Sequence, residues 1–126
     1  MTLKKVLIVD DEPDIREVAA LCFELAGGYR ILSARSGLEA LEVARAEAPD
    51  AILMDIMMPE MDGLTAVRHL QADEATARIP VVLLTAKALS DEMSDVASLG
   101  VHGIIAKPFD PMKLAASLEA ALGWKR

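Results

Sequence analysis

Acidic, hydroxyl and basic side chains directly follow short apolar runs at four places in this 126-residue chain. Asp10 and Asp11 follow the first run, Asp55 follows a second, Thr85 a third and Lys107 a fourth. Carboxylate oxygens are ligands that Mg²⁺ prefers, and a carboxylate can also attack phosphorus as a nucleophile. A carboxylate, a divalent cation, a lysine and a hydroxyl are together the groups that phosphoryl transfer to an aspartate needs. This chemistry requires a fold that brings the five side chains together.

The apolar runs predict a set of short strands. Each run is too short for a helix, and a fifth stretch of mixed polarity is another strand candidate. The predicted strands lie at 6–9, 29–34, 51–54, 81–84 and 103–106. Between the strands, apolar residues recur three or four positions apart, which predicts five helices. Their apolar stripes are Ile15, Val18, Cys22 and Leu25; Leu41, Ala44 and Ala48; Leu64, Val67 and Leu70; Leu89, Met93, Val96 and Ala97; and Leu114, Leu118, Ala121 and Leu122.

Several helix ends carry local sequence signals. Gly27 is expected to end the first helix, and Ser36 with Glu39 three residues later is typical of a capping box that starts the second. Asp110 followed by Pro111 is typical of a helix start, so we expect the fifth helix to begin there.

Strands that alternate with helices predict an α/β fold with a parallel sheet. We expect a doubly wound, flavodoxin-like (βα)5 three-layer sandwich with strand order 2-1-3-4-5. The first, third and fourth strands are continuously apolar, as buried central strands should be, whereas the second and fifth have the weaker pattern of sheet edges. The length predicts a single domain over 1–126, with a structured core over about 4–123.

The expected strand order places the first and third strands side by side. Asp10, Asp11 and Asp55 should then converge beyond the carboxyl ends of the strands, where ligands bind in such sheets. Three neighbouring carboxylates repel one another, so either some are protonated or a cation such as Mg²⁺ lies among them. Lys107 should add a positive charge, and Thr85 a hydroxyl between them. A single aspartate after a strand is usually a turn residue, but four strand ends of suitable type favour a functional site.

Composition disfavours several classes of partner. The net charge of −7 argues against broad attraction to nucleic acid or to an anionic membrane. The first apolar run is too short for a signal peptide or a membrane span, so we expect a cytoplasmic protein. Cys22 is the single cysteine, and we expect a buried thiol in a reducing compartment. Trp124, near the end of the chain, is expected to be loosely packed.

Four motifs in this order and spacing resemble one known family. They are VLIVDDE at 6–12, ILMDIMMPEMDG at 52–63, LLTAK at 83–87 and AKPFDP at 106–111. The chain resembles the receiver domain of bacterial two-component response regulators, of the chemotaxis-regulator type. The resemblance covers essentially the whole sequence.

The resemblance implies a role for each candidate residue. Asp55 matches the phosphorylated aspartate, and Asp10 and Asp11 match the acidic pair that binds Mg²⁺, for which Mn²⁺ can substitute. Thr85 matches the switch hydroxyl, and Lys107 matches the phosphate-contacting lysine. The main-chain carbonyl of Met57 is implied as a further metal ligand.

The family also implies a function and partners. A histidine kinase or histidine phosphotransfer protein would donate a phosphoryl group to Asp55, and the modified domain would bind a downstream effector differently. The effector would bind the face formed by the fourth helix, fifth strand and fifth helix. The family implies a signalling domain, not an enzyme beyond its own phosphorylation and dephosphorylation. It also implies a cis bond between Lys107 and Pro108. In place of the aromatic switch residue that many members carry, this chain has Ile104.

The residues present disfavour several other functions. Aspartate-based phosphatases of the haloacid dehalogenase type use a D-x-D motif, whereas Ile56 and Met57 follow Asp55 here. A receiver-like interaction module that works without phosphorylation would need none of the five candidate residues, and the presence of all five disfavours it. Nucleotide binding is disfavoured because neither G-x-x-x-x-G-K-[ST] nor G-x-G-x-x-G occurs.

Overall fold

The computed structural model describes residues 3–86 and 100–124. The strands are β1 (Lys4–Val9), β2 (Tyr29–Ala34), β3 (Ala51–Asp55), β4 (Val81–Thr85) and β5 (Gly103–Ala106). The helices are α1 (Pro13–Ala26), α2 (Gly37–Glu47), α3 (Gly63–Ala72) and α4 (Leu114–Leu122). The last of these, α4, corresponds to the fifth predicted helix. The fourth predicted helix, with its stripe from Leu89 to Ala97, lies outside the described residues.

The five strands form one parallel sheet in the order β2-β1-β3-β4-β5. This confirms the predicted order. Every residue of β3 and β4 is buried, whereas β5 alternates between partly buried and exposed positions, and Ala34 is the one buried residue of β2. The central strands are apolar on both faces because helices cover both faces of the sheet.

Two hydrophobic cores lie on opposite faces of the sheet, which gives the predicted three layers. One core joins α2 and α3 to the sheet, through residues such as Ala44 and Val67. The other joins α1 and α4, through Phe23 and Leu118. Among the described residues, no helix has the length and apolar character needed to cross a bilayer.

The buried face of α1 differs from the predicted stripe. Ala19, Cys22 and Phe23 are buried, whereas Val18 is 40% exposed and Leu25 is 73% exposed. Apolar residues occupy more than one side of this helix, so spacing alone did not identify the face that meets the sheet. The Phe23 ring packs edge-on against Tyr29 of β2, with ring centroids 4.9 Å apart. This contact turns the side of α1 that carries Phe23 toward the sheet. The prediction of a buried Cys22 is confirmed.

The helix ends agree with two of the three predicted signals. Gly27, with φ of 78°, ends α1, and the Ser36 hydroxyl accepts the Glu39 N–H at 3.1 Å at the start of α2. The last helix, however, begins at Leu114 and not at Asp110. Asp110 instead closes a turn, because its Oδ1 atom accepts the Met112 N–H at 2.9 Å.

The predicted loose packing of Trp124 is wrong. Its ring stacks on Tyr29 at a centroid distance of 6.5 Å, and the Lys4 ammonium lies 5.0 Å from the Trp124 ring centroid. The main-chain N–H of Trp124 also donates to the main-chain carbonyl of Glu119 at 2.9 Å. The half-buried Tyr29 ring on the edge strand provides an apolar surface that the end of the chain covers.

Candidate functional site

Two buried aspartates meet where β1 and β3 end. Val9 pairs with Met54 in the parallel ladder, so Asp10 and Asp55 follow at neighbouring positions. Both carboxylates are almost completely buried, whereas the third aspartate, Asp11, is exposed. One oxygen from each of the three carboxylates lies within 4.8 Å of the others. The structure therefore brings together the three acids that the sequence predicted would converge.

Lys107 lies against both buried aspartates. Its Nζ atom is 2.7 Å from Asp10 Oδ2 and 3.4 Å from Asp55 Oδ1. The Lys107 N–H donates to the Thr85 carbonyl at 2.7 Å, which holds the lysine backbone beside β4. The bond between Lys107 and Pro108 is cis, as expected. A partly buried ammonium shared by two carboxylates offsets part of their mutual repulsion.

Thr85 is the buried last residue of β4 and pairs with Ala106 of β5. Because Asp55 pairs with Leu84, Thr85 lies one residue beyond the acidic residue along the same sheet edge. The next residue, Ala86, is small and exposed, so a group that approaches this edge meets no bulky side chain there.

Main-chain groups fix the loop that follows Asp55. The Met57 N–H donates to Asp55 Oδ1 at 3.3 Å, while the Met57 side chain is 66% exposed. The Gly63 N–H donates to the Ile56 carbonyl at 2.9 Å, and this holds the start of α3 against the end of β3. The side chain of Asp62 caps α3 by accepting the Thr65 N–H at 2.8 Å.

The loop after β1 is also held in place, in part by a residue that sequence reasoning missed. Asp10 Oδ1 accepts the Glu12 N–H at 2.9 Å. Arg16 of α1 donates from its Nη1 atom to the main-chain carbonyl of Asp10 at 2.6 Å. The only sequence signal for this contact is an arginine in the first turns of a helix that follows an acidic pair, and that signal is weak.

Burial and charge shift the pKa values of the site in opposing ways. Burial raises the pKa of the Asp55 carboxyl above its ordinary value, and the nearby Asp10 charge raises it further, while Lys107 and the Met57 N–H oppose the rise. Burial alone would lower the pKa of the Lys107 ammonium, but Asp10 and Asp55 outweigh this effect and raise it. Lys107 therefore remains charged, and a further cation would favour the ionised form of Asp55.

The donor set fits a hard divalent cation. Asp10 Oδ2 is fully buried and forms an ion pair with the Lys107 ammonium at 2.7 Å. A carboxylate oxygen has more than one lone-pair site, so Oδ2 can face both an ammonium and a metal ion. Asp11 and Asp55 add carboxylate oxygens at short range. The Met57 carbonyl stays a predicted ligand.

Comparison with known proteins places this geometry in a family. A family model for the response regulator receiver domain matches residues 6–119. The phosphate regulon transcriptional regulatory protein PhoB of Pseudomonas aeruginosa is 42% identical over 97% of this chain and 53% of its own length. The chain thus spans about half the length of that relative.

Solved structures agree with the match. The chemotaxis protein CheY4 of Vibrio cholerae superimposes with a TM-score of 0.89 at 30% identity, over 95% of this chain and 99% of that chain. The receiver domain of the sensor histidine kinase PA1611 from Pseudomonas aeruginosa superimposes with a TM-score of 0.84 at 32% identity, over 97% of this chain and 99% of that chain. In that structure a magnesium ion is coordinated in the active site cleft.

The matched family has a general chemistry that fits the site. Receiver domains are signalling domains of two-component systems that bind Mg²⁺ at an acidic pocket and accept a phosphoryl group. The matched span contains the three aspartates, Thr85 and Lys107. This chain belongs to the receiver domain family of response regulators.

Proposed function

We propose that Asp55 accepts a phosphoryl group from a histidine kinase or a histidine phosphotransfer protein. Asp10, Asp11, Asp55 and the main-chain carbonyl of Met57 would hold Mg²⁺ for this reaction. The observation that carries the proposal is the burial of Asp10 and Asp55 side by side, with the Lys107 ammonium against both carboxylates. Burying such a cluster is costly for stability alone, which favours a chemical role.

The proposed reaction forms one bond and breaks one. An Asp55 carboxylate oxygen attacks phosphorus of the donor phosphohistidine, and an acyl phosphate forms as the nitrogen–phosphorus bond breaks. The electron pair of that bond goes to the histidine nitrogen, which takes up a proton. Bound Mg²⁺ would supply positive charge to the phosphoryl oxygens.

Lys107 and Thr85 would respond to the new group. The added phosphoryl charge lies within reach of the Lys107 ammonium, which already contacts Asp55 Oδ1 at 3.4 Å. A main-chain hydrogen bond from the Lys107 N–H to the Thr85 carbonyl joins the two residues. Movement of either residue would therefore also shift the backbone at the ends of β4 and β5. Couplings of this kind typically amount to about 1–3 kcal/mol.

The proposed output surface includes β5 and α4. Ile104 on β5 is 36% exposed and occupies the position where many family members carry an aromatic switch residue. The fourth predicted helix would complete this surface, but it lies outside the described residues. We propose that a downstream effector binds here with an affinity that depends on the phosphorylation of Asp55.

Intact mass measurement tests the proposed phosphorylation. The protein is incubated with acetyl phosphate with and without Mg²⁺, as wild type and as Asp55→Asn, with Asp14→Asn as a control that removes an exposed carboxylate in the first turn of α1. We expect wild type and Asp14→Asn to gain one phosphoryl group only with Mg²⁺, and Asp55→Asn to gain none. No gain in wild type would leave a phosphorylation-independent interaction module as the better interpretation.

A further inference from the structure

Arg16 makes a contact that none of the proposed site roles explains. This residue lies in α1, is half-buried, and donates from Nη1 to the main-chain carbonyl of Asp10 at 2.6 Å. A hydrogen bond from a charged guanidinium is short and stronger than a neutral one. We propose that Arg16 is a positioning residue for the metal site, which acts by fixing the backbone that carries the Asp10 carboxylate. This inference rests on the proposed function.

The end of β1 explains why the Asp10 carbonyl needs a side-chain donor. The ladder between β1 and β2 runs to the pair of Val9 with Ala34, so the Asp10 carbonyl lies past the last paired residue. A buried main-chain carbonyl needs a donor, and Arg16 supplies it. The backbone of Asp10 is thus held by α1 as well as by the sheet.

Three hydrogen bonds together set the direction of the Asp10 side chain. The Asp10 N–H donates to the Ala34 carbonyl at 3.2 Å, and Asp10 Oδ1 accepts the Glu12 N–H at 2.9 Å. Arg16 adds the bond to the Asp10 carbonyl. These bonds engage every polar atom of Asp10 except Oδ2, which forms the ion pair with the Lys107 ammonium at 2.7 Å. The three bonds therefore fix Oδ2 as the Asp10 oxygen that faces the cationic group of the site.

Arg16 also links the first turn of α1 to this loop. The main-chain N–H of Arg16 donates to the Glu12 carbonyl at 3.2 Å. Glu12, whose own N–H donates to Asp10 Oδ1, is therefore held by the backbone of Arg16. The Arg16 side chain lines a groove between α1 and β2 together with Tyr29 and Ser33. Loss of the guanidinium leaves the main-chain bond to Glu12 in place and removes the bond to the Asp10 carbonyl, so it should loosen the acidic loop without removing a metal ligand.

Metal affinity tests this role directly. Mn²⁺ binding is measured by the electron paramagnetic resonance signal of the free ion, with Mg²⁺ as competitor, in wild type, Arg16→Met and Arg16→Lys. Arg35→Met is the matched control, because Arg35 directly follows β2 at the same sheet edge and its exposed side chain pairs only weakly with Glu39, at 3.5 Å. Both methionine variants lose one positive charge, but only Arg16→Met loses the contact with Asp10.

We expect Arg16→Met to bind Mn²⁺ about 10- to 100-fold more weakly, as is typical when a group that orients a metal ligand is removed. Arg35→Met should stay close to wild type, because the Arg35 side chain is exposed to solvent, where salt screens its charge. Arg16→Lys should lie between the two, since one ammonium donor replaces the guanidinium. Equal affinity of the two methionine variants would overturn the proposal, because the effect would then be one of net charge alone.

A second readout needs no metal. The carbon-13 chemical shift of the Asp10 carbonyl reports its hydrogen bond, and we expect it to move in Arg16→Met but not in Arg35→Met. An unmoved shift in Arg16→Met would also overturn the inference. If wild type binds no Mn²⁺, the proposed metal site fails, and this shift alone still decides whether Arg16 positions Asp10. If Arg16→Met does not fold, the comparison of Arg16→Lys with wild type decides in both measurements.

Discussion

A single methyl group at Gly63 should disturb both the stability of the domain and the position of Asp55. A Cβ atom at this position would lie 2.9 Å from Ile56 Cα and 3.0 Å from the Asp55 carbonyl carbon, and closer still to the Asp55 carbonyl oxygen. Ordinary contacts of Cβ atoms begin at 3.4 Å. All three neighbours are main-chain atoms, so no side chain can rotate away to make room. The Gly63→Ala variant must move the start of α3 away from the end of β3.

The expected cost follows from this overlap. Overpacking in a well-packed core typically costs about 1–3 kcal/mol, and rigid main-chain neighbours place Gly63→Ala near the upper end. For a domain of this size, a loss of about 3 kcal/mol lowers the Tm by roughly 10 °C. The shift should also break the hydrogen bond from the Gly63 N–H to the Ile56 carbonyl, which is 2.9 Å long. At a temperature low enough for Gly63→Ala to fold, we therefore expect acetyl phosphate to phosphorylate Asp55 more slowly in this variant than in wild type.

Gly37→Ala is the matched control. Gly37 is likewise the first residue of a helix, but a Cβ atom there would meet mainly the flexible side chain of Met61, whose Cγ and Sδ atoms lie at 3.0 Å. A changed rotamer of Met61 would cost about 1 kcal/mol. Thermal unfolding followed by circular dichroism compares the two variants. Equal Tm values for Gly63→Ala and Gly37→Ala would refute the close approach of α3 to the end of β3.

Three further predictions concern regions away from the site. Thr76→Val removes a buried hydroxyl that donates to the Leu70 carbonyl at 2.7 Å, so urea titration should show a loss of about 1 kcal/mol, and an unchanged midpoint would contradict this contact. Burial raises the pKa of the Cys22 thiol, so a disulfide reagent should label the folded protein far more slowly than the urea-unfolded protein; equal rates would mean an accessible thiol. Hydrogen bonding to Arg45 lowers the pKa of the Asp73 carboxyl, so Arg45→Met should raise that pKa in an NMR titration. The variant also loses a small stabilisation, which the wild-type protein loses as the pH falls through the Asp73 pKa. An unchanged Asp73 pKa in Arg45→Met would contradict the ion pair.

The sheet and the centre of the site could be predicted because both depend on the pattern of apolar runs. The alternation of strands and helices predicted the strand order of a doubly wound fold, and the strands that are apolar throughout supported it, because such strands must be covered on both sides. Once the order is known, residues that directly follow the neighbouring strands β1 and β3 must meet, which is why Asp10 and Asp55 lie together. Lys107 follows the edge strand β5, beyond β4, and reaches both carboxylates through its long side chain. Position along the chain was sufficient for the two aspartates.

Other features depend on distances that no local pattern encodes. The reach of the Arg16 guanidinium to the Asp10 carbonyl depends on where α1 lies on the sheet, and the contact of Trp124 with Tyr29 depends on how the chain end meets an edge strand. The buried face of α1 was misassigned for the same reason, because several sides of this helix are apolar. The late start of α4 reflects a competing turn at Asp110, whose side chain binds a main-chain N–H before the helix begins.

The central claim is that Asp55 itself becomes phosphorylated, and trapping the acyl phosphate tests it most directly. Borohydride reduces an aspartyl phosphate to homoserine, so peptide sequencing by mass spectrometry after treatment with acetyl phosphate and Mg²⁺ identifies the modified residue. We predict homoserine at position 55, with none at Asp10 or Asp11 and none when Mg²⁺ is withheld. Homoserine at another aspartate, or its absence in the presence of Mg²⁺, would contradict the assignment of Asp55 as the phosphoacceptor.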